Sequence, residues 1–213
     1  MARAKEDPEH IVCCGETNSD PRLPMALFSS HDGGLTWTRI RITSQTGCGN
    51  AIALDPKDSR CIYVGGRKEG KTAVFKTDDA GTSWKEITGP IMGVVAELAL
   101  DPRTSQTVLA GTPNGLFRSK NGGTSWERRA RFDVRVIKFD TVSPDRIWAG
   151  GEDGLFVSVD GGTRWTREPG LTIDEIICLE FDPKKRILFA GTDGGGLVAG
   201  TVGSESGPAG RKR

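Results

Sequence analysis

The chain has 213 residues, with 29 Lys and Arg against 28 Asp and Glu and a net charge of +1. That balance argues against a dedicated nucleic-acid or anionic-membrane binder held by charge. Its 29 glycines and 11 prolines call for many tight turns between short elements and argue against a helical bundle.

No run approaches the roughly 18 apolar residues that cross a bilayer, and the start, MARAKEDPEH, is charged where a secretory leader is apolar. The expectation is a cytoplasmic protein without membrane insertion, or an extracytoplasmic one if the chain is a piece of a longer precursor. The five cysteines (Cys13, Cys14, Cys48, Cys61 and Cys178) show no repeated spacing. They read as buried structural thiols rather than a disulfide framework.

In chain order, five units open on an aspartate mark: Asp7-Pro8, Asp55-Pro56, Asp101-Pro102, Asp140-Thr141 and Asp182-Pro183, at intervals of 48, 46, 39 and 42. Four of them finish in a second motif. These boxes are Ser30-His-Asp32-Gly-Gly34-Leu-Thr36-Trp37, Thr77-Asp-Asp79-Ala-Gly81-Thr-Ser83-Trp84, Ser119-Lys-Asn121-Gly-Gly123-Thr-Ser125-Trp126 and Ser158-Val-Asp160-Gly-Gly162-Thr-Arg164-Trp165. Each unit places a short apolar run before its mark, such as Leu98-Ala-Leu100, and two between mark and box, such as Val108-Leu-Ala-Gly111 and Gly115-Leu-Phe-Arg118. The segment from each Trp onward makes a fourth. Apolar runs of this length, punctuated by Gly, Pro, Asn and Asp, are strands.

Four strands per repeat predict an all-β fold, a β-propeller of about five four-stranded blades. The units run about 1–43, 44–89, 90–131, 132–170 and 171–203, with 204–213 a disordered basic tail. The first and last blades are expected to be incomplete. Unit one starts on a poor inner strand, Ala2-Arg-Ala-Lys-Glu6, and unit five ends at Gly196-Leu-Val-Ala-Gly200 without a box. Open edges would invite pairing with another chain, a second copy included.

The box Ser/Thr-x-Asp-x-Gly-x-Thr/Ser-Trp resembles the Asp-box, or bacterial neuraminidase repeat. The chain is similar to the Asp-box propellers of sialidases, xyloglucan hydrolases, sortilin-type receptors and photosystem II assembly factors. In physical terms the box is a staple. Asp32, Asp79, Asn121 and Asp160 accept hydrogen bonds from backbone N–H groups two residues on. The indoles of Trp37, Trp84, Trp126 and Trp165 fold under the turn and find a carbonyl.

With strands lettered A to D outward, the A–B and C–D turns share one rim, and the variable B–C and D–A connections share the other, where binding is expected. Its candidate binding residues are Arg128, Arg129, Arg131, Arg135, Arg67, Lys71, Asp174 and Glu175. Arginines there suit carboxylate or phosphate recognition. Lys138 and Glu180 share an A-strand position and read as an interblade ion pair.

The sialidase chemistry that the resemblance raises needs an arginine triad, a Tyr nucleophile with a Glu partner and an Asp acid/base. The single tyrosine, Tyr63, sits at a packing position of a B strand. The Arg22 motif Pro21-Arg-Leu-Pro24 lies too close to the first box. A two-carboxylate glycosidase would draw on Glu152, Asp153, Asp174, Glu175 and Asp193, which double as turn residues. His10 and His31 are too far apart in the repeat scheme to be taken as a metal pair. No catalytic residue, metal or cofactor is expected. The reading is a non-enzymatic scaffold for a protein partner, with a glycoside hydrolase-like or carbohydrate-binding propeller as the alternative.

Overall fold

The computed structural model describes residues 2–3, 7–15, 26–42, 46–68, 71–169 and 175–203. Asp174, the Pro21–Pro24 segment and the 204–213 tail lie outside the described residues. The described chain is all β, a propeller of five antiparallel sheets, and it holds no helix long and apolar enough to cross a membrane.

The first sheet runs β1 (Ala2–Arg3), β2 (Ile11–Gly15), β3 (Ala26–Ser30) and β4 (Thr38–Ile40). The second is β5 (Thr46–Leu54), β6 (Ile62–Lys68), β7 (Lys71–Thr77) and β8 (Lys85–Glu86). The third is β9 (Glu97–Leu100), β10 (Val108–Thr112), β11 (Gly115–Ser119) and β12 (Glu127–Ala130). The fourth is β13 (Val136–Phe139), β14 (Ile147–Gly151), β15 (Gly154–Ser158) and β16 (Thr166–Arg167). The fifth has β17 (Ile176–Asp182), β18 (Ile187–Thr192) and β19 (Gly196–Thr201). The last sheet thus lacks its outer strand among the described residues, while the first does have an inner strand, a two-residue one.

The same two turns fasten each of the first four sheets, and the fifth has the first of them. Four of the five A–B turns are capped by their aspartate carboxylate, at Asp55, Asp101, Asp140 and Asp182: Asp55 Oδ1 accepts from Lys57 N at 2.8 Å, and Asp140 Oδ1 from Val142 N at 2.9 Å. Asp140-Thr141 works as well as Asp-Pro because the carboxylate, not the proline, closes the turn. In the C–D turn Ser30 Oγ donates to Asp32 Oδ1 at 2.7 Å and accepts from Gly34 N at 2.8 Å. The carboxylate takes the N–H four residues on, Thr36 N at 2.8 Å, not two on as the sequence suggested. The wider loop follows from two glycines in succession, both at positive φ. Asn121 keeps the pattern by accepting from Ser125 N at 2.8 Å and donating Nδ2–H to Ser125 Oγ at 2.9 Å. One backbone bond then docks the C–D turn on the A–B turn: Gly33 N to Glu9 O at 3.1 Å, Ala80 N to Arg60 O at 2.9 Å, Gly122 N to Gln106 O at 2.9 Å and Gly161 N to Asp145 O at 2.8 Å.

Between neighbouring sheets lie four apolar clusters, one per seam. The face looking toward the next sheet carries Val12 and Leu27, Tyr63 and Val74, Leu109 and Leu116, then Trp148 and Leu155, and none of these exceeds 3% exposure. Burying each such side chain contributes roughly 1.5–3 kcal/mol. A B-strand glycine makes room for the oncoming blade: a Cβ on Gly65, Gly111 or Gly150 would lie 2.7, 2.6 or 2.5 Å from Val95, Val134 or Ile176.

The fifth sheet breaks this rule. Leu197, in the place of Leu155, is 70% exposed, Phe189 is only half-buried, and a Cβ on Gly191 would meet its own sheet's Cys178. Among the described residues the first sheet's other face is also less covered: Ile11, Cys13 and Phe28 are half-buried, where their counterparts Ile62, Val64 and Phe75 are at most 1% exposed. Among the described residues the first and fifth sheets do not pack as the other neighbours do. The thiol expectation is corrected by the same feature: Cys61 is buried, and burial pushes it up to about 12, but Cys178 lies exposed on the uncovered face.

Candidate functional site

The loop rim is organised around Arg135. Its guanidinium bonds Asp133 Oδ1 at 3.0 Å and ion-pairs with Glu152 and Glu175. Asp133, 7% exposed, also accepts from Glu152 N at 2.9 Å, while its own N–H donates to Asp153 at 3.2 Å. Arginine is suited to this role because its fork can serve several oxygens at once.

The other cations do not join Arg135 in one patch. Arg128 donates to the carbonyls of Asn114 and Ala130 and lies over the Phe117 ring at 6.0 Å. Arg129, its neighbour on β12, points to the opposite face, where it pairs with Glu127 and adds to the burial that pulls Arg118 down. Arg131 is exposed, as are Arg67 and Lys71 beside the β6–β7 turn. The local excess of arginine in the sequence is therefore divided between the two faces of β12 and the segment that follows it, and its last member, Arg135, is paired with three carboxylates. Those carboxylates include two from about 20 to 40 residues away, which is why no local pattern shows them.

The inner, A strands carry a short charge ladder. Lys138 Nζ meets Glu180 Oε1 at 2.8 Å, the interblade pair expected from the sequence. Beside it Glu97, which sequence reasoning passed over, is held by burial at about 7, with Lys138 pulling the other way. Its counterparts in neighbouring sheets are Ala51, Val136 and Cys178, so the repeat itself does not require an acid there. Tyr63 is fully buried with its hydroxyl 3.4 Å from Gly122 O, and burial first of all raises its phenol, which suits packing rather than nucleophilic attack.

On the opposite rim His10 and His31 are not distant, as the repeat scheme suggested. Their rings stack at 4.2 Å because the docking bond from Gly33 N folds the C–D turn onto the A–B turn. A groove between blades, lined by Lys85–Gly89, Gly123 and Thr124, lies beside Trp126. That indole reaches back to Ile87 O at 2.7 Å instead of to its own turn.

No family model matches the chain. It is 28% identical to a probable oligoxyloglucan-reducing end-specific xyloglucanase of Neosartorya fischeri over 48% of this chain and 14% of that protein. It is 25% identical to the photosystem II assembly lipoprotein Ycf48 of Synechococcus sp. over 59% of this chain and 37% of that one. The chain thus spans much less than two thirds of these relatives. Among solved structures, a GH74 enzyme of Niastella koreensis superposes with a TM-score of 0.70 at 19% identity, over 89% of this chain and 32% of that one. YCF48 bound to D1 peptide superposes with a TM-score of 0.66 at 20% identity, over 94% and 64%. These likenesses agree on a β-propeller, and the relatives divide between glycoside hydrolases and an assembly factor.

Proposed function

We propose that the chain is an Asp-box β-propeller that works as a non-enzymatic scaffold, binding a protein partner through its B–C/D–A rim. One observation carries the reading: two of the rim acids a glycosidase would draw on, Glu152 and Glu175, are tied to a single guanidinium. A two-carboxylate mechanism needs one protonated acid and one free carboxylate set apart across the sugar bond, whereas Glu152 and Glu175 both pair with Arg135. The exposed Arg67, Lys71 and Arg131 remain to meet an acidic segment of a partner. The peptide-bound YCF48 structure is consistent with such a use of the fold. The test is a photo-cross-linker placed at residue 131 or at residue 163 on the opposite rim. Protein adducts from the first position, competed by an acidic peptide, support the scaffold. Hydrolysis of xyloglucan oligosaccharides lost in Glu152→Gln or Glu175→Gln at unchanged Tm would replace it.

A hydrolase-like or carbohydrate-binding propeller is the second reading, and Glu97 favours it. A carboxyl held near 7 by burial is protonated at neutral pH to the extent a general acid requires. Turnover abolished by Glu97→Gln would establish that alternative.

The uncovered seam faces extend the scaffold reading to self-association. The fifth sheet offers the knobs, Phe189 and Leu197, and the first sheet the receiving face, Ile11, Cys13 and Phe28. These are the two halves of a seam the chain already makes four times, so the occupant of each is a second copy joined head to tail.

A further inference from the structure

Asp7, His10 and His31 meet where the first sheet's C–D turn docks on its A–B turn. One ligand-capable atom from each lies within 4.8 Å of the other two. The turn chemistry does not demand these residues: the two histidine positions hold Cys61 and Asp78, Thr107 and Lys120, and Arg146 and Val159 in the next three repeats. Ser29, underneath, holds both rings, with its Oγ 3.0 Å from His10 Nε2 and 3.3 Å from His31 Nε2.

A second observation is independent of that proximity. His10 is 1% exposed, and its Nδ1 is a buried nitrogen without a hydrogen-bond partner. Leaving a buried polar atom unsatisfied is unfavourable, and the contact between His10 Nε2 and Ser29 Oγ does nothing to relieve it; with Nε2–H donating to Ser29, Nδ1 carries the free lone pair. A cation seated between His10 and the exposed side chains of Asp7 and His31 would accept that lone pair.

We propose that Asp7, His10 and His31 form a zinc site that clips the β1–β2 turn to the β3–β4 turn. Two imidazoles and one carboxylate are a donor set suited to Zn²⁺, which takes three protein ligands and keeps a fourth position for water. Ser29 supplies the outer hydrogen bonds that fix ring orientation at such sites. Bonds of about 2.0–2.2 Å to a tetrahedral ion bring donor atoms to roughly 3.3–3.6 Å of one another. Closing in from 4.8 Å calls for movement of the exposed Asp7 and His31 side chains, with the His31 ring shifting within its stack on His10.

The probe is Co²⁺, then Zn²⁺ by competition, added to the full untagged chain. The expected result is one equivalent bound with the visible bands of four- or five-coordinate cobalt on nitrogen and oxygen, and a raised Tm with zinc. His31→Ala and Asp7→Asn alter exposed side chains and leave the metal-free Tm near the wild-type value. Each is expected to weaken binding by about tenfold or more. Binding by the wild type no tighter than by His31→Ala would overturn the proposal. A cobalt–thiolate charge-transfer band, placing the metal on a cysteine, would overturn it as well. If His10→Ala fails to fold, the two exposed variants still decide the matter.

Discussion

Four tryptophans occupy the same place in four turns, yet replacing them should not have the same effect. Trp126 is 6% exposed, packs in the cluster between the second and third sheets, and donates Nε1–H across the seam to Ile87 O at 2.7 Å. Trp37 is 41% exposed and donates only within its own turn, to Gly34 O at 2.9 Å. Trp126→Ala removes a buried ring and leaves Ile87 O unpaired, so it should cost about 3–5 kcal/mol. Trp37→Ala removes a half-exposed ring and a local bond, and should cost about 1 kcal/mol. Trp126→Phe keeps most of the ring and loses the hydrogen bond, which predicts an intermediate cost. Urea unfolding followed by far-UV circular dichroism gives the three midpoints, with the slopes checked for equality before energies are compared. Costs for the two alanine variants within about 0.5 kcal/mol of each other would refute the assignment of Trp126 to the seam.

Ala80 sits at φ 58 where the other turns use glycine, so Ala80→Gly should stabilise by about 0.5–1 kcal/mol in the same assay. Leu197→Asp should leave the fold intact and abolish any concentration-dependent rise in mass seen by light scattering; a wild type that stays monomeric at high concentration would refute head-to-tail association. Glu97, raised from its usual 4.5 to about 7, favours the protonated form in the folded state. Stability should therefore fall as pH rises from about 4.5 to 7, by on the order of 3 kcal/mol, and Glu97→Gln should flatten that fall. Hydrogen bonds from Thr36 and Ser83 hold Asp32 and Asp79 at about 2, down from 3.8. Their contribution is complete above about 3.8 and lost toward pH 2, so acid unfolding should set in across that window and shift to higher pH in Thr36→Ala.

The turns were legible because all their partners are local. Asp32, Ser30, Gly34 and Thr36 lie within seven residues, and the geometry they need is written in the spacing of hydroxyl, carboxylate and glycine. Trp126 was not legible, since its box reads like the others. What redirects its indole is Ile87 and Gly89, contributed by the preceding repeat. The neutralisation of Arg135 was hidden for the same reason, with Glu152 and Glu175 arriving from two other loops. The repeat scheme hides the proximity of His10 and His31, because it sets the A–B mark and the box apart along the chain. The docking bond between the two turns, repeated in four sheets, is the signal that could have joined them: any residue beside the A–B mark is a neighbour of any residue inside the box.

A position filled in the same way in every repeat serves the fold, because each blade faces the same packing problem. Function has to be sought where one copy departs from the others without a structural need. By that criterion Trp148, Tyr63 and Leu109 are interchangeable seam residues, and the aromatic character of Trp148 and Tyr63 carries no message about a ligand. Glu97 stands among Ala51, Val136 and Cys178, and His10 with His31 stands among pairs that share no chemistry. Both departures carry a cost that the scaffold alone does not explain, a carboxyl held in an unfavourable environment in one case and an unpaired buried nitrogen in the other. The rim arginines differ in kind, since Arg135 and Arg128 already have partners within the chain. A partner protein bound at the rim as proposed would therefore meet the exposed Arg131, Arg67 and Lys71 first, and charge reversal at those three should weaken its binding more than any change at Arg135.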